Sequence, residues 1–336
     1  MAAAMGRHDG KALLAALALA AAPVAADSEE LTRLATRCEG QRFMVDYSSP
    51  QGRVRLFTDT GGGNVIYEDA VRRLGLAVRR SGAGGLPAAR VPRPNGAVPL
   101  PMPMPDGCPE GGMLFVSRRE MPDSDGRAGV LGEAWFKNRV WLLDYPGRQL
   151  YLVNDARAFE GVPKHPLFFQ TDPSGRRAVN YPRIEVEIDG TLYPLLLDTG
   201  ATLQLTSEAA ATLGRRPGSQ LATSFVAGSV FDSWRRSHPD WPLIERADGL
   251  VGDQPAIRVP WVRVAGRRIG PLWFTRRPDA SFHDFMSRYM DRRIDGALGG
   301  NAFASFSLLL NYPDASFALL PGSAARRRKP GTHDLF

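Results

Sequence analysis

The sequence predicts an all-β chain made of two homologous lobes, and three observations carry that expectation. First, the tripeptide Asp-Thr-Gly occurs twice, as Asp59-Thr60-Gly61 and Asp198-Thr199-Gly200, each between an apolar run and a segment of helical character. Composition alone would give about 0.1 copies by chance. Second, the surroundings repeat as well. Leu74-Gly75 follows Asp59 by 15 and 16 residues, and Leu213-Gly214 follows Asp198 at the same distances with no gap. Further on, Val130-Leu131-Gly132 and Ala297-Leu298-Gly299 each precede a phenylalanine by four residues (Phe136, Phe303) and an Asp/Asn-Tyr-Pro by twelve. Third, the segments leading into each copy alternate apolar and polar residues with the period of a half-buried strand. The interval from the aspartate to the later glycine is 73 residues in the first copy and 101 in the second, so the second lobe carries about 28 extra residues in its middle.

The elements follow in chain order. Residues 1–26 read as a secretory signal, with Arg7 and Lys11 ahead of an apolar stretch over 12–22 and Val24-Ala25-Ala26 as a small-residue cleavage site. Eleven apolar residues before Pro23 are too few to span a bilayer, so a periplasmic or secreted protein without stable membrane insertion is expected. An N-terminal segment, 27–39, places Leu31, Leu34, Ala35 and Cys38 at helical spacing. The first lobe, 40–153, opens on the alternation Phe43, Val45, Tyr47, turns at Ser48-Ser49-Pro50-Gln51-Gly52, and returns through Val54, Leu56 and Phe57 to Asp59. A short helix should follow, with Glu68 and Asp69 in its first turn, Arg72 and Arg73 in its last, and Gly75 as its stop. Over residues 86–109 the prolines Pro99, Pro101, Pro103 and Pro105 favour an extended polyproline course, as a surface loop and not as helix or central strand.

An irregular linker is expected over 154–180. In the second lobe, 181–322, Ile184, Val186 and Ile188 alternate with acids, Asp189-Gly190 supplies a hairpin turn, and Leu195-Leu196-Leu197 deliver Asp198. A basic tail, 323–336, closes the chain.

Charge and cysteine content exclude several classes. The formal net charge is +7, but the signal segment holds +1 and the tail +3, leaving a folded body of only +3. That body has no basic stripe with interleaved aromatics, so nucleic acid is not expected as a partner. The two cysteines, Cys38 and Cys108, either form one disulfide in an oxidising compartment or remain two thiols. No C-x-x-C or H-E-x-x-H occurs and the five histidines are scattered, so neither metal nor cofactor is expected. G-x-S-x-G and phosphate-loop patterns are also missing.

Taken together, Asp59-Thr60-Gly61, Asp198-Thr199-Gly200-Ala201, Val130-Leu131-Gly132 and Ala297-Leu298-Gly299 resemble a two-lobed aspartic protease assembled from two retropepsin-like units, as in the bacterial members of the aspartyl protease superfamily. The resemblance covers most of residues 40–322. It implies two mostly antiparallel β-barrel lobes of the acid-protease type with a cleft between them, and glycine segments at Gly132 and Gly299 that cross beneath the aspartate loops in a psi-shaped arrangement. It further implies Asp59 and Asp198 as the catalytic pair, supported by Thr60, Gly61, Thr199 and Gly200, in a monomer acting on peptide or protein substrates. The chain departs from the pepsin-like pattern at Gly62 and Ala201, which stand where serine or threonine is usual, and Ala201 fits the retropepsin form. No tyrosine lies between Tyr67 and Tyr145, so a first-lobe flap is placed around residues 82–85 without the usual tyrosine.

The chemistry gives these residues their meaning. Two carboxylates about 3 Å apart share one proton, so one acts as base and the other as acid on a bridging water. A non-catalytic peptide-binding envelope protein on the same fold and a two-carboxylate glycosidase are the competing readings. The second lobe's tryptophans, Trp234, Trp241, Trp261 and Trp273, include candidates for an apolar cleft wall.

Overall fold

The computed structural model describes residues 30–80, 85–96, 100–103, 112–117 and 126–323. The expected signal segment, Cys108, much of the proline stretch, the tip of the expected flap and nearly all of the basic tail lie outside these residues.

Chain order begins with β1 (Leu31–Arg33), β2 (Thr36–Glu39), β3 (Arg42–Ser49) and β4 (Gly52–Thr58). Helical spacing is therefore not realised in the N-terminal segment. Leu34 and Cys38 are both buried, but they share neither a helix nor a strand: Leu34 lies in the break between β1 and β2, and Cys38 within β2. Pairing decides the matter, because β2 finds its partner in β3 and β1 finds one across the molecule. After the Asp59 loop come β5 (Val65–Tyr67), α1 (Glu68–Arg73), β6 (Val78–Arg80), β7 (Pro87–Arg90), β8 (Met113–Ser117) and β9 (Gly129–Leu131). The acids at the start of α1, the arginines at its end and Gly75 at φ +61° are the expected stop and start signals. The start of the proline stretch departs from expectation, since β7 lies between β6 and β8 inside the sheet. Pro87 is tolerated there as the strand's first residue. Beyond it the prolines' free carbonyls serve as acceptors: Tyr47 donates its hydroxyl to Pro92 O at 2.8 Å, and Trp135 its indole N–H to Pro101 O at 2.8 Å.

Next are α2 (Glu133–Phe136), β10 (Val140–Asp144), β11 (Gln149–Val153) and β12 (His165–Pro166). The second lobe runs through β13 (Arg183–Ile188), β14 (Thr191–Asp198), β15 (Thr202–Gln204), α3 (Ser207–Leu213), β16 (Gln220–Ala222), β17 (Ser224–Ala227) and α4 (Gly228–Ser237). It continues with β18 (Leu243–Asp248), β19 (Gln254–Val259), β20 (Val262–Val264), β21 (Arg267–Ile269), β22 (Leu272–Arg277) and β23 (Gly296–Gly299). The chain then forms β24 (Phe306–Asn311) and β25 (Ser316–Pro321). Asp189 and Gly190 both take positive φ in the β13–β14 turn, the backbone a two-residue hairpin requires.

The two lobes repeat in strand pairing. The first sheet runs β2-β3-β4-β9-β5-β8-β7-β6, and the second contains the series β13-β14-β23-β17-β22-β19-β18. In each, the strand ending at the aspartate lies parallel to the glycine strand (β4 to β9, β14 to β23), which in turn lies antiparallel to the next strand (β5, β17). The ungapped match of Leu74-Gly75 with Leu213-Gly214 pairs α1 with α3, but the sheets do not follow it. The strand beside the glycine strand precedes α1 in the first lobe and follows α3 in the second. Much of the second copy's extra length thus enters as the unit β15-α3-β16, fastened by Gln204 N–H donating to Asp248 Oδ1 at 2.8 Å.

A third sheet, β1-β11-β10-β24-β25-β12, joins the halves. At its centre β10 and β24 are antiparallel with Leu142 opposite Leu309, and the two repeated tripeptides, Asp144-Tyr145-Pro146 and Asn311-Tyr312-Pro313, make the turns that lead to β11 and β25. Beneath it lies a buried aromatic cluster of Trp135, Phe136, Trp141 and Tyr312. The chain is mostly β and has the two-lobed architecture of the acid-protease type.

Candidate active site at the lobe boundary

Asp59 follows β4 and Asp198 ends β14, two strands whose buried residues Leu56, Phe57, Leu195 and Leu197 anchor them in the lobe cores. Main-chain geometry after each aspartate is the same. The Gly61 N–H donates to Asp59 Oδ1 at 2.8 Å and the Gly200 N–H to Asp198 Oδ1 at 2.9 Å. Gly62 and Ala201 close the loops by donating to the carbonyls of Asp59 and Asp198, each at 3.2 Å. The carboxyls are hydrogen-bonded to each other across the boundary.

Two buried threonines lock the loops together. Thr60 N–H donates to Thr199 Oγ1 at 3.2 Å, and Thr199 N–H donates to Thr60 Oγ1 at 3.0 Å. Thr60 Oγ1 in turn donates to Leu197 O at 2.6 Å, on the opposite lobe. Replacing Thr60 by valine should leave the buried Thr199 amide and Leu197 carbonyl unpaired and cost about 1–3 kcal/mol. Urea unfolding would read this as a lower midpoint at unchanged slope, and an unchanged midpoint would remove the interlock from the account of stability.

The glycine segments sit where the repeat places them. Asp59 N–H donates to Leu131 O at 3.0 Å, and Asp198 pairs in register with Gly299. A Cβ on Gly132 would lie 2.1 Å from Gly62 O, and one on Gly299 would lie 1.7 Å from Thr223 O, so only a bare α-carbon lets these strands pass under the loops. Sequence reasoning had no view of two further supports: Asn64 Oδ1 accepts from Gly132 N–H at 3.0 Å, and Ser224 Oγ accepts from Gly299 N–H at 3.1 Å. Both stand on the strand beside the glycine strand or just before it, a relation that only the sheet makes visible. Gly62 is constrained for its own reason, since a Cβ there would come within 2.5 Å of Asp59 Oδ2.

Electrostatics distinguish the two acids. Burial raises the Asp59 carboxyl above the usual range, opposed by its hydrogen bond with Asp198, by the Gly61 and Gly62 amides and by the Arg127 guanidinium. Asp198 is raised well above the usual range, by burial and then by the charge and hydrogen bond of Asp59. Arg127 is buried beside Asp59, donates to Gln220 Oε1 at 2.7 Å and stacks 5.2 Å over the Phe57 ring. Nothing about its sequence neighbours signals this placement.

Of the four candidate tryptophans, three pack against other side chains, and Trp273 lines a pocket with Tyr145 and Leu203. Trp234 is a core residue against Tyr193 and Phe274, Trp241 packs on Trp234, and Arg268 stacks over Trp261. The aromatic side chain within electrostatic reach of both aspartates is Tyr181. Its ring meets Tyr289 at 5.9 Å, and Tyr289 meets Phe285 at 5.8 Å, both of the latter exposed on the helical turns just before β23. Cys38 is a free, buried thiol, and Cys108, the other member of the disulfide that the sequence left open, lies outside the described residues. Among the described residues no group of three or more His, Cys, Asp or Glu could hold a metal ion.

Fold and loop pair together define the acid-protease architecture. The chain is similar to the crystal structure of the aspartic proteinase from Irpex lacteus, at a TM-score of 0.50 and 10% identity over 89% of this chain and 100% of that one. It also aligns with basic 7S globulin from soybean (TM-score 0.45, 10% identity, 91% of this chain and 98% of that one) and with conglutin gamma, a basic 7S globulin from lupine seeds (0.44, 10%, 90% and 97%). No protein-family model matches the sequence, and no curated protein sequence matches it.

Proposed function

We propose that the protein is an aspartic endopeptidase of two retropepsin-like units, exported as a monomer and acting on peptides or proteins through Asp59 and Asp198. The observation that supports this most directly is the pair of carboxyls facing each other across two interlocked loops with matching hydrogen bonds, each carboxyl pressed against the glycine of the opposite loop. In this reading Asp59, with amides and Arg127 favouring its charge, is the base. It takes a proton from the attacking water while Asp198, which holds its proton more tightly, donates a hydrogen bond to the scissile carbonyl. Water oxygen bonds to the carbonyl carbon as Asp198 passes its proton to the carbonyl oxygen; Asp59 then hands the water's proton to the nitrogen, and the C–N bond breaks while Asp198 recovers a proton from the adduct's hydroxyl. The enzyme forms no covalent intermediate. Tyr181, Tyr289 and Phe285 offer an apolar flank for a large substrate side chain.

Purified protein incubated with a mixed peptide library from pH 3 to 7 tests the proposal. Rates should be highest where the pair holds one proton, falling as pH rises through the elevated value of Asp198 and again as pH falls through that of Asp59. Cleavage should favour large apolar residues next to the scissile bond. No turnover at any pH in this range would replace the protease reading with a peptide-binding one.

A further inference from the structure

One stretch of the first lobe is far more basic than the chain around it. Residues 70–105 contain six arginines and no aspartate or glutamate. Three of the six, Arg79, Arg90 and Arg93, line a groove of about 470 Å³ that also takes in the turn between β3 and β4. None of its lining residues belongs to either Asp-Thr-Gly segment.

The charge on this groove is open and uncompensated. Arg79 lies on β6, the outermost strand of its sheet, and Arg93 follows β7; both side chains are exposed. Several exposed arginines elsewhere are neutralised, Arg53 by Asp46, Arg157 by Asp155 and Arg246 by Asp253. Among the described residues neither Arg79 nor Arg93 has a carboxylate partner. Two such guanidinium groups at one concavity attract negative charge.

The groove is also preformed. The segment that carries Arg93 is pinned on both sides: Val91 N–H donates to Gly112 O at 2.6 Å, the Tyr47 hydroxyl to Pro92 O at 2.8 Å, and Asn95 N–H to Ser48 O at 2.8 Å. Its prolines fix φ, so little further order is lost when a ligand settles on it. Beside the arginines the wall offers accessible apolar surface, with Pro50 and Ala77 exposed and Leu76 and Pro94 half-buried. A bare phosphate would leave that surface unused, and a flat lipid surface would not enter a groove. A peptide that alternates carboxylates with apolar side chains uses both.

We propose that this groove docks an extended acidic peptide, its carboxylates on Arg79 and Arg93 and an apolar side chain against Leu76, Ala77 and Pro94. The site does not depend on the protein being a protease.

Fluorescence anisotropy of a labelled peptide alternating aspartate and leucine, titrated with the full protein at low salt, tests it beside the same peptide with asparagine for aspartate. The acidic peptide should bind saturably, and the asparagine peptide on the order of tenfold more weakly. Arg79→Gln and Arg93→Gln should each weaken the acidic peptide about threefold, and together on the order of tenfold. Removing the same charge elsewhere, by Arg157→Gln with Arg246→Gln, should change its affinity by less than about twofold. Ala77→Glu, which sets a carboxylate in the groove, should weaken the acidic peptide more than the asparagine one, and Asp198→Asn should change nothing. Circular dichroism confirms that each variant is folded. Absence of saturable binding would overturn the site, as would equal binding of the two peptides or an equal loss in the distant double variant. Binding lost in Asp198→Asn would place the peptide at the aspartates and overturn it too. Sedimentation with phosphatidylglycerol vesicles that requires Arg79 and Arg93, without saturable peptide binding, would assign this face to a membrane surface instead.

Discussion

Replacing Asp198 by asparagine is expected to lower the rate of peptide cleavage by at least about 10³-fold, because the pair then lacks the acid that polarises the scissile carbonyl. The same change should stabilise the fold at neutral pH. Its sign follows from the direction of the shift. A carboxyl raised in the folded state holds its proton to higher pH than in the unfolded chain, so folding takes up protons and stability falls as pH rises above the ordinary carboxylate value near 3.9. Asparagine removes that penalty and supplies a side-chain amide that can donate to Asp59. Thermal unfolding should therefore show the variant above the wild type at pH 7, with the gap closing below about pH 4. Retained cleavage would dismiss the catalytic pair. A variant less stable than wild type at pH 7 would show that Asp198 is held by interactions stronger than its desolvation cost.

Gly200→Ala is expected to damage catalysis too, by a smaller factor and a different route. A methyl on Gly200 would fall 2.1 Å from Cγ of Asp59 and 2.3 Å from its Oδ1, on the opposite lobe. The near wall is the base itself, so relief requires Asp59 to swing away from Asp198 or the interlocked loops to part. A displacement of about 1 Å in a reacting group costs on the order of 10²-fold in rate. Steady-state kinetics should show that loss in kcat, with KM for a peptide substrate changed little, because the flank around Tyr181 is untouched. Wild-type kcat in this variant would mean that the carboxyls tolerate separation and that the close approach is not needed for turnover.

The architecture was legible because it is written twice. A tripeptide, a leucine-glycine stop, a later glycine and an Asp/Asn-Tyr-Pro recur at matched distances, and each turns out to mark a definite place: the aspartate loop, a helix end, the crossing strand and the turns of the central sheet. Local chemistry was equally readable at Asp189-Gly190 and around α1, where the signal lies within a few residues. Where reading failed, two structures shared one local pattern. Leu31, Leu34 and Cys38 have helical spacing, yet the edge of β3 and the distant β11 drew the segment into two short strands. The proline stretch over 86–109 argued against a central strand, but Pro87, at the start of β7, leaves the ladder intact.

By itself the sequence determined that two carboxylates would sit in equivalent turns of two β-rich lobes, because that information is local and repeated. Only the tertiary structure decided what surrounds them: the α3 unit inserted before β17, the reach of Asn64 and Ser224 to the crossing glycines, and the buried Arg127 and the Tyr181 hydroxyl within electrostatic reach of Asp59. These are contacts between residues 60 or more positions apart in several cases, set by strand register and by the packing of one lobe on the other. No pattern along the chain encodes such distances, since the energy that fixes them is gained only when both partners have already been brought to the same place.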